Sequence, residues 1–127
     1  MQTREQRFAA TVYRLVDARN GRYNQTTDKN KYGSIAHKLP VLIRTAGLAQ
    51  ALAFVATRSD AQGDILPDLA QALGFPDDKA LLKASREAPL AEYMLLTEDA
   101  LAALLWFKRY AQSVLGVTAD MEGDENV

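Results

Sequence analysis

KYGSIAHKLPVLIRTAGLAQALAFVATR, residues 31–58, places the chain among the helical folds. Ile35, Leu39, Leu42 and Ile43 recur at helical spacing, and Ala46, Ala49, Ala53 and Phe54 continue the series. Residues three, four and seven apart share one face of a helix, so the stretch reads as a helix with one buried side. Two residues disturb it. Pro40 has no amide hydrogen and its ring meets the preceding turn, which predicts a kink or a fresh helix start. Gly47 costs a helix up to about 1 kcal/mol relative to alanine, and it leaves room for another backbone to come close. The longest mainly apolar run, residues 39–56, is interrupted by Arg44, Thr45, Gly47 and Gln50. A membrane span needs about twenty predominantly apolar residues, so a buried helix in a soluble, cytoplasmic protein is expected.

The other side of the same stretch is basic. His37, Arg44 and Arg58 fall on a seven-residue rhythm with Ala51 in the gap, and Lys31 and Lys38 are also seven apart. If the helix survives Pro40, these residues form two neighbouring outer stripes with cations about 10 Å apart. That spacing suits a phosphate backbone, which rewards charge without base contacts. Lysine and arginine also line the solvated face of ordinary helices, and this remains the plain alternative.

Upstream, Phe8, Val12, Leu15 and Val16 mark a helix over residues 3–18, with Arg7 and Arg14 sharing a face. Gly21 after Asn20 suits a left-handed helix terminus. Residues 22–30, RYNQTTDKN, read as a loop. Arg7, Arg14, Arg19 and Arg22 form a second basic group.

Downstream, residues 59–63 form a break. Asp64 is placed to cap a short helix over 65–73 that ends at Gly74. Asp77 and Asp78 open a helix over 79–86. Pro89 starts a further short helix reaching about residue 96. Thr97 then caps the last long helix, with Glu98 and Asp99 in its first turn, and Gly116 stops it. Within it, Leu101, Leu104, Leu105, Phe107, Ala111 and Val114 read as core. Trp106, Tyr110 and Leu115 are left for a second layer or a partner, and Trp106 and Tyr110 are the candidate protein interface. No segment alternates with period two for long, which excludes a substantial sheet. The expected architecture is an all-α, single-domain bundle of about five to six helices over residues 1–117. The acidic tail, residues 118–127, is expected to be disordered.

A chain of 127 residues suits one domain. Its net charge of −1 conceals an asymmetry. Residues 1–59 hold ten Lys/Arg against three Asp/Glu, and residues 60–127 hold five against thirteen. With no cysteine there are no disulfides and no thiolate metal sites. The one histidine, His37, has no nucleophile motif such as G-x-S-x-G beside it and reads as a surface or capping residue. The pairs Asp77-Asp78 and Glu98-Asp99 sit at predicted helix starts, where the helix dipole accounts for them. The glycines form no phosphate loop. No catalytic residue, metal, cofactor or small-molecule substrate is therefore expected, and the chain reads as a binding protein. A helical protein-protein adaptor or a helix-turn-helix-like DNA-binding regulator remains the alternative.

Residues 31–55 resemble the signature of the small helical subunit of type III-B CRISPR effectors, the Cmr (RAMP module) complexes. The resemblance rests on Tyr32-Gly33-Ser34, Lys38-Leu39-Pro40, Ile43-Arg44, Gly47-Leu48 and Phe54. A second similarity lies in EYMLLTEDALAALLWFKRYAQSVL, residues 92–115. It implies a non-catalytic subunit of an antiviral ribonucleoprotein. Copies would stack into a minor filament beside RAMP-fold backbone subunits and support the duplex of guide RNA and target RNA. The RNA-facing candidates are Lys31, His37, Lys38, Arg44 and Arg58, with Arg7, Arg14, Arg19 and Arg22 as the second group.

Overall fold

The computed structural model describes residues 1–120, in which the regular elements are six helices and no strand occurs. In chain order they are α1 (Arg4–Arg22), α2 (Thr26–Ala46), α3 (Leu48–Ala56), α4 (Ile65–Ala72), α5 (Asp78–Glu87) and α6 (Leu90–Ser113). The all-α expectation holds. The expected tail disorder falls mainly on residues 121–127, which lie outside the described residues.

Helix α1 begins with a capping box. The Thr3 hydroxyl accepts from the Gln6 amide, and the Gln6 side chain accepts from the Thr3 amide. The helix does not stop before Gly21, which lies inside it without a positive φ. It ends at Tyr23, whose amide donates to the Arg19 carbonyl. The expected loop shrinks accordingly, because α2 already starts at Thr26. Nothing apolar in residues 24–30 marks a helix. That polar turn is the solvent-facing extension of a helix whose full burial starts at Tyr32.

Helix α2 continues through Pro40, and the break falls at Gly47 instead. An interior proline forfeits one backbone hydrogen bond, at about 3 kcal/mol. Here it lies in a buried seam with Tyr32, Ile35, Leu39 and Ile43, whose packing offsets that cost. Gly47 has φ +92°, a left-handed value that a side chain disfavours. Its amide closes the last turn of α2 on Ile43, and its carbonyl accepts from Ala51 to open α3. The first turn of α3 has amides without helical partners. One of them, on Ala49, donates to the Tyr93 hydroxyl of α6 at 3.1 Å.

The two helices expected around Thr97 are a single 24-residue helix. Thr97 does not cap. Its hydroxyl donates back to the Tyr93 carbonyl at 2.9 Å, a bond that a helix interior accommodates. Asp99 pairs with Arg4 at 2.6 Å rather than serving a helix start. Asp64, at the start of α4, makes no side-chain cap, because its carboxylate accepts from the Tyr23 hydroxyl. Asp77 does cap α5, through the Ala80 amide.

Helix α6 is the axis of the fold, with α1 and α2 packed along it. The core joins Val12 and Val16 of α1, Ile35 and Leu39 of α2, and Leu52 and Val55 of α3 to Leu69, Leu81, Leu104, Phe107 and Ala111. Leu105, expected in the core, is exposed, and Leu115, left for a second layer or a partner, is buried. After Gly116, at φ +73°, the chain folds back and buries Val117 completely.

Candidate nucleic-acid interface

The nine basic positions sort by what their side chains already touch. Arg7, Arg14, Arg22, Lys38 and Arg44 are exposed. Arg7 donates to the Gln2 carbonyl and Arg14 to the Thr11 hydroxyl, and both side chains lie on the solvent side of α1. Lys31 is partly buried and pairs with Asp60 at 3.4 Å. Arg58 packs over the Phe54 ring at 4.7 Å, and its Nε is buried without a hydrogen-bond partner.

Two candidates leave the outer face. Arg19, with its side chain 12% exposed, grips Asp68 side-on through Nε at 2.9 Å and Nη2 at 3.1 Å. His37 is buried, and its Nε2 donates to the Val117 carbonyl at 2.9 Å. The seven-residue rhythm does not carry across to Arg58 either. A helical rhythm holds only along an unbroken helix, and Gly47 ends α2 before Arg58 is reached.

Sequence reasoning missed the polar cluster that holds Arg19. The Tyr32 hydroxyl donates to the same Asp68 carboxylate at 2.6 Å. Beside it Tyr23 donates to Asp64, and Arg19 reaches Asp64 at 3.6 Å. Burial raises the Tyr32 phenol pKa above the ordinary tyrosine value, and the Asp68 charge and hydrogen bond push the same way. Burial also raises Tyr23, reinforced by the hydrogen bond to Asp64. For Arg19, burial alone pulls down, but the bond and charge of Asp68 outweigh it and hold the guanidinium charged. One signal was present. Asp68 occupies an apolar-face position beside Ile65, Leu69 and Ala72, where an acid must find a partner.

Much of the signature in residues 31–55 is structural. Gly33 seats Val117, since a Cβ added there would lie 2.5 Å from the Val117 Cβ. Tyr32 and His37 hold Asp68 and Val117, while Leu39, Pro40, Ile43 and Leu48 are buried. Of the signature residues on α2, Lys38 and Arg44 are the exposed ones. Beside Lys38, between α2 and α3, lies an open groove of about 410 Å³, lined by Ile35, Val41, Leu42 and Phe54.

A second surface runs between α1 and α6. Trp106 and Tyr110 stack with centroids 5.7 Å apart, and Tyr13 meets Tyr110 edge-on at 5.4 Å. Arg109 lies over Trp106 at 5.1 Å. Trp106 and Tyr110 are the residues expected at a protein interface, and they are half-buried against each other.

Among the described residues no group of three or more His, Cys, Asp or Glu is placed to hold a metal ion. No helix of the described residues is long and apolar enough to cross a membrane.

The model of the family described as CRISPR-associated protein (Cas_Cmr5) matches residues 4–114. A relative from Thermus thermophilus, the CRISPR system Cmr subunit Cmr5, is 45% identical over 117 residues. That match covers 91% of this chain and 98% of the relative. The crystal structure of a CRISPR-associated Cmr5 family protein, also from Thermus thermophilus, superposes with a TM-score of 0.83 at 44% identity. It covers 90% of this chain and 98% of that one. A subunit of a CRISPR Cmr complex is thereby indicated, and the chain belongs to the CRISPR-associated Cmr5 family.

Proposed function

We propose that this protein is a non-catalytic small subunit of a type III-B CRISPR effector in the cytoplasm. It stacks with copies of itself beside RAMP-fold subunits and steadies the duplex of guide RNA and target RNA. The observation that carries the RNA part is the exposure of Arg7, Arg14, Arg22, Lys38 and Arg44 on α1 and α2. Backbone phosphates reward such cations wherever they lie on a surface, with no need for base readout. The non-catalytic part is supported by His37, whose Nε2 is committed to a backbone carbonyl. Stacking is supported by an apolar stripe on the outside of α6, where Leu90, Met94 and Leu95 are exposed. Leu90, Ala91, Met94 and Leu95 share one helix face, the pattern by which a helix docks on a partner. The acidic C-terminal half and the basic N-terminal half supply unlike surfaces, as a repeating contact between copies requires.

Capture of the protein from its host, with and without nuclease, tests the reading. A large particle containing RNA and RAMP-fold subunits is expected, and nuclease should reduce it. A lone monomer or dimer under both conditions overturns the proposal.

A further inference from the structure

We infer that the cleft between α1 and α6 is a stacking site for unpaired RNA bases, built on Tyr13, Trp106 and Tyr110 and flanked by Arg14 and Arg109. This rests on the RNA reading above and deepens it, because it adds a single-strand contact at one cleft to the duplex contacts of the exposed cations.

The aromatic cluster lies outside the seam that joins the two helices. That seam consists of Val12, Val16, Leu104, Phe107 and Ala111, all fully buried. Tyr13 by contrast is 46% exposed, and Trp106 and Tyr110 are half-buried. The Trp106–Tyr110 stack separates two crevices. One, of about 170 Å³, is bounded by Arg4, Phe8, Leu105, Trp106 and Arg109. The other, of about 500 Å³, is bounded by Gln2, Gln6, Tyr13, Arg14 and Tyr110. Trp106 and Tyr110 are four residues apart, which is about 6 Å along the helix axis. Each ring of the pair borders one crevice, Trp106 the smaller and Tyr110 the larger.

The chemistry selects the ligand. Aromatic rings beside guanidinium groups bind nucleobases by stacking and bind the adjoining phosphates by charge. Each crevice carries at least one arginine. The carboxylate lining them is that of Glu5, and the nearby Asp99 is engaged by Arg4. A base inside a duplex has both faces covered by its neighbours and offers only its edges. Only an unpaired base can present a face to a ring. Gln2 and Gln6 stand at the rim of the larger crevice, where a base edge would lie.

Trp106 is the only tryptophan in the chain, so its emission reports on this cleft alone. The full-length protein is titrated at low salt with a fluorescein-labelled oligouridylate 12-mer and, separately, with an RNA duplex of the same length. Fluorescein anisotropy reads binding. The emission of Trp106 is read in parallel with unlabelled strands. The single strand is expected to quench Trp106, and the duplex to bind with little quenching. Tyr13→Ala lies on the surface and should leave the helical circular dichroism unchanged. It is expected to weaken single-strand binding about tenfold while leaving duplex binding within about twofold. Arg109→Ala should weaken the single strand as well. If RNA binds with unchanged Trp106 emission, and Tyr13→Ala binds both probes normally, the stacking site is overturned while the RNA reading stands. If neither probe binds, both fall. A Trp106 change that follows protein concentration in the absence of RNA would assign the cleft to a protein contact and overturn the inference.

Discussion

At the residue scale, the buried cluster around Asp68 is the strongest test of what holds this fold. Its carboxylate satisfies Arg19 from α1 and Tyr32 from α2 at once. Removing one member of a buried pair leaves the other charge without a partner, at about 3–5 kcal/mol. Asp68→Ala is expected to lose about that much stability in denaturant unfolding. Arg19→Ala should behave alike, so any RNA defect it shows should track unfolding rather than a missing phosphate partner. A variant as stable as the parent would remove the cluster from this role. The tyrosines add a pH dependence. Their pKa values are raised in the folded state, so the native protein keeps protons that the unfolded chain releases. The stabilisation is complete below the unfolded tyrosine pKa of about 10 and is lost as pH rises beyond it. Thermal midpoints should therefore be insensitive to tyrosine ionisation between about pH 7 and 9 and fall above about 10. Tyr23→Phe should show a lower midpoint at neutral pH and a shallower alkaline fall. Gly33 supplies a third residue-scale test. In an open helix Gly→Ala would gain up to about 1 kcal/mol. Here the new methyl meets Val117, so Gly33→Ala is expected to destabilise. Val117→Gly in the same chain should relieve the clash, and strictly additive effects in the double-mutant cycle would contradict it.

At the element scale, Gly47 defines where one helix becomes two. A Cβ there would meet only the Tyr93 hydroxyl, at 3.5 Å, so the obstacle to substitution is backbone conformation rather than space. Gly47→Ala is expected to cost about 1–2 kcal/mol. Tyr93→Phe, which leaves the Ala49 amide without its acceptor, should cost about 1 kcal/mol. Melting curves indistinguishable from the parent for both variants would argue against a hinge fixed at this point. The elements also show where sequence reading succeeded. The existence of α1 and the last long helix was legible from apolar spacing and that of α4 and α5 from terminus signals, and Asp77 capped as its position implied. The fresh helix start offered at Pro40 and the cap read at Thr97 failed for one shared reason. Local propensity names residues able to end a helix, but tertiary packing decides which of them do. Pro40 is carried through because Leu39 and Ile43 beside it are buried. Thr97 is carried through between Tyr93, tied to α3, and the buried Ala100.

At the scale of the whole molecule, RNA attraction depends on the exposed cations acting together. Reversing Lys38 and Arg44 to glutamate should leave the helical circular dichroism intact and weaken RNA association. It should also flatten the dependence of log affinity on log salt by about two, one for each phosphate no longer neutralised. Unchanged binding at low salt would count against the α2 face. Fold class, most of the apolar stripes, the charge asymmetry and the family signature follow from the amino-acid order alone. Each of these is a local pattern, carried by spacing along one helix or by composition. Which cations face outward came from the tertiary structure. His37 follows the same seven-residue rhythm as Arg44, and Arg19 belongs to the same basic group as Arg14, but partners 49 residues from Arg19 and 80 residues from His37 draw these two inward. Periodicity assigns a residue to a face of its own helix. Whether that face meets solvent, Asp68 or the returning chain at Val117 depends on contacts between segments far apart in sequence, and no local pattern carries that information.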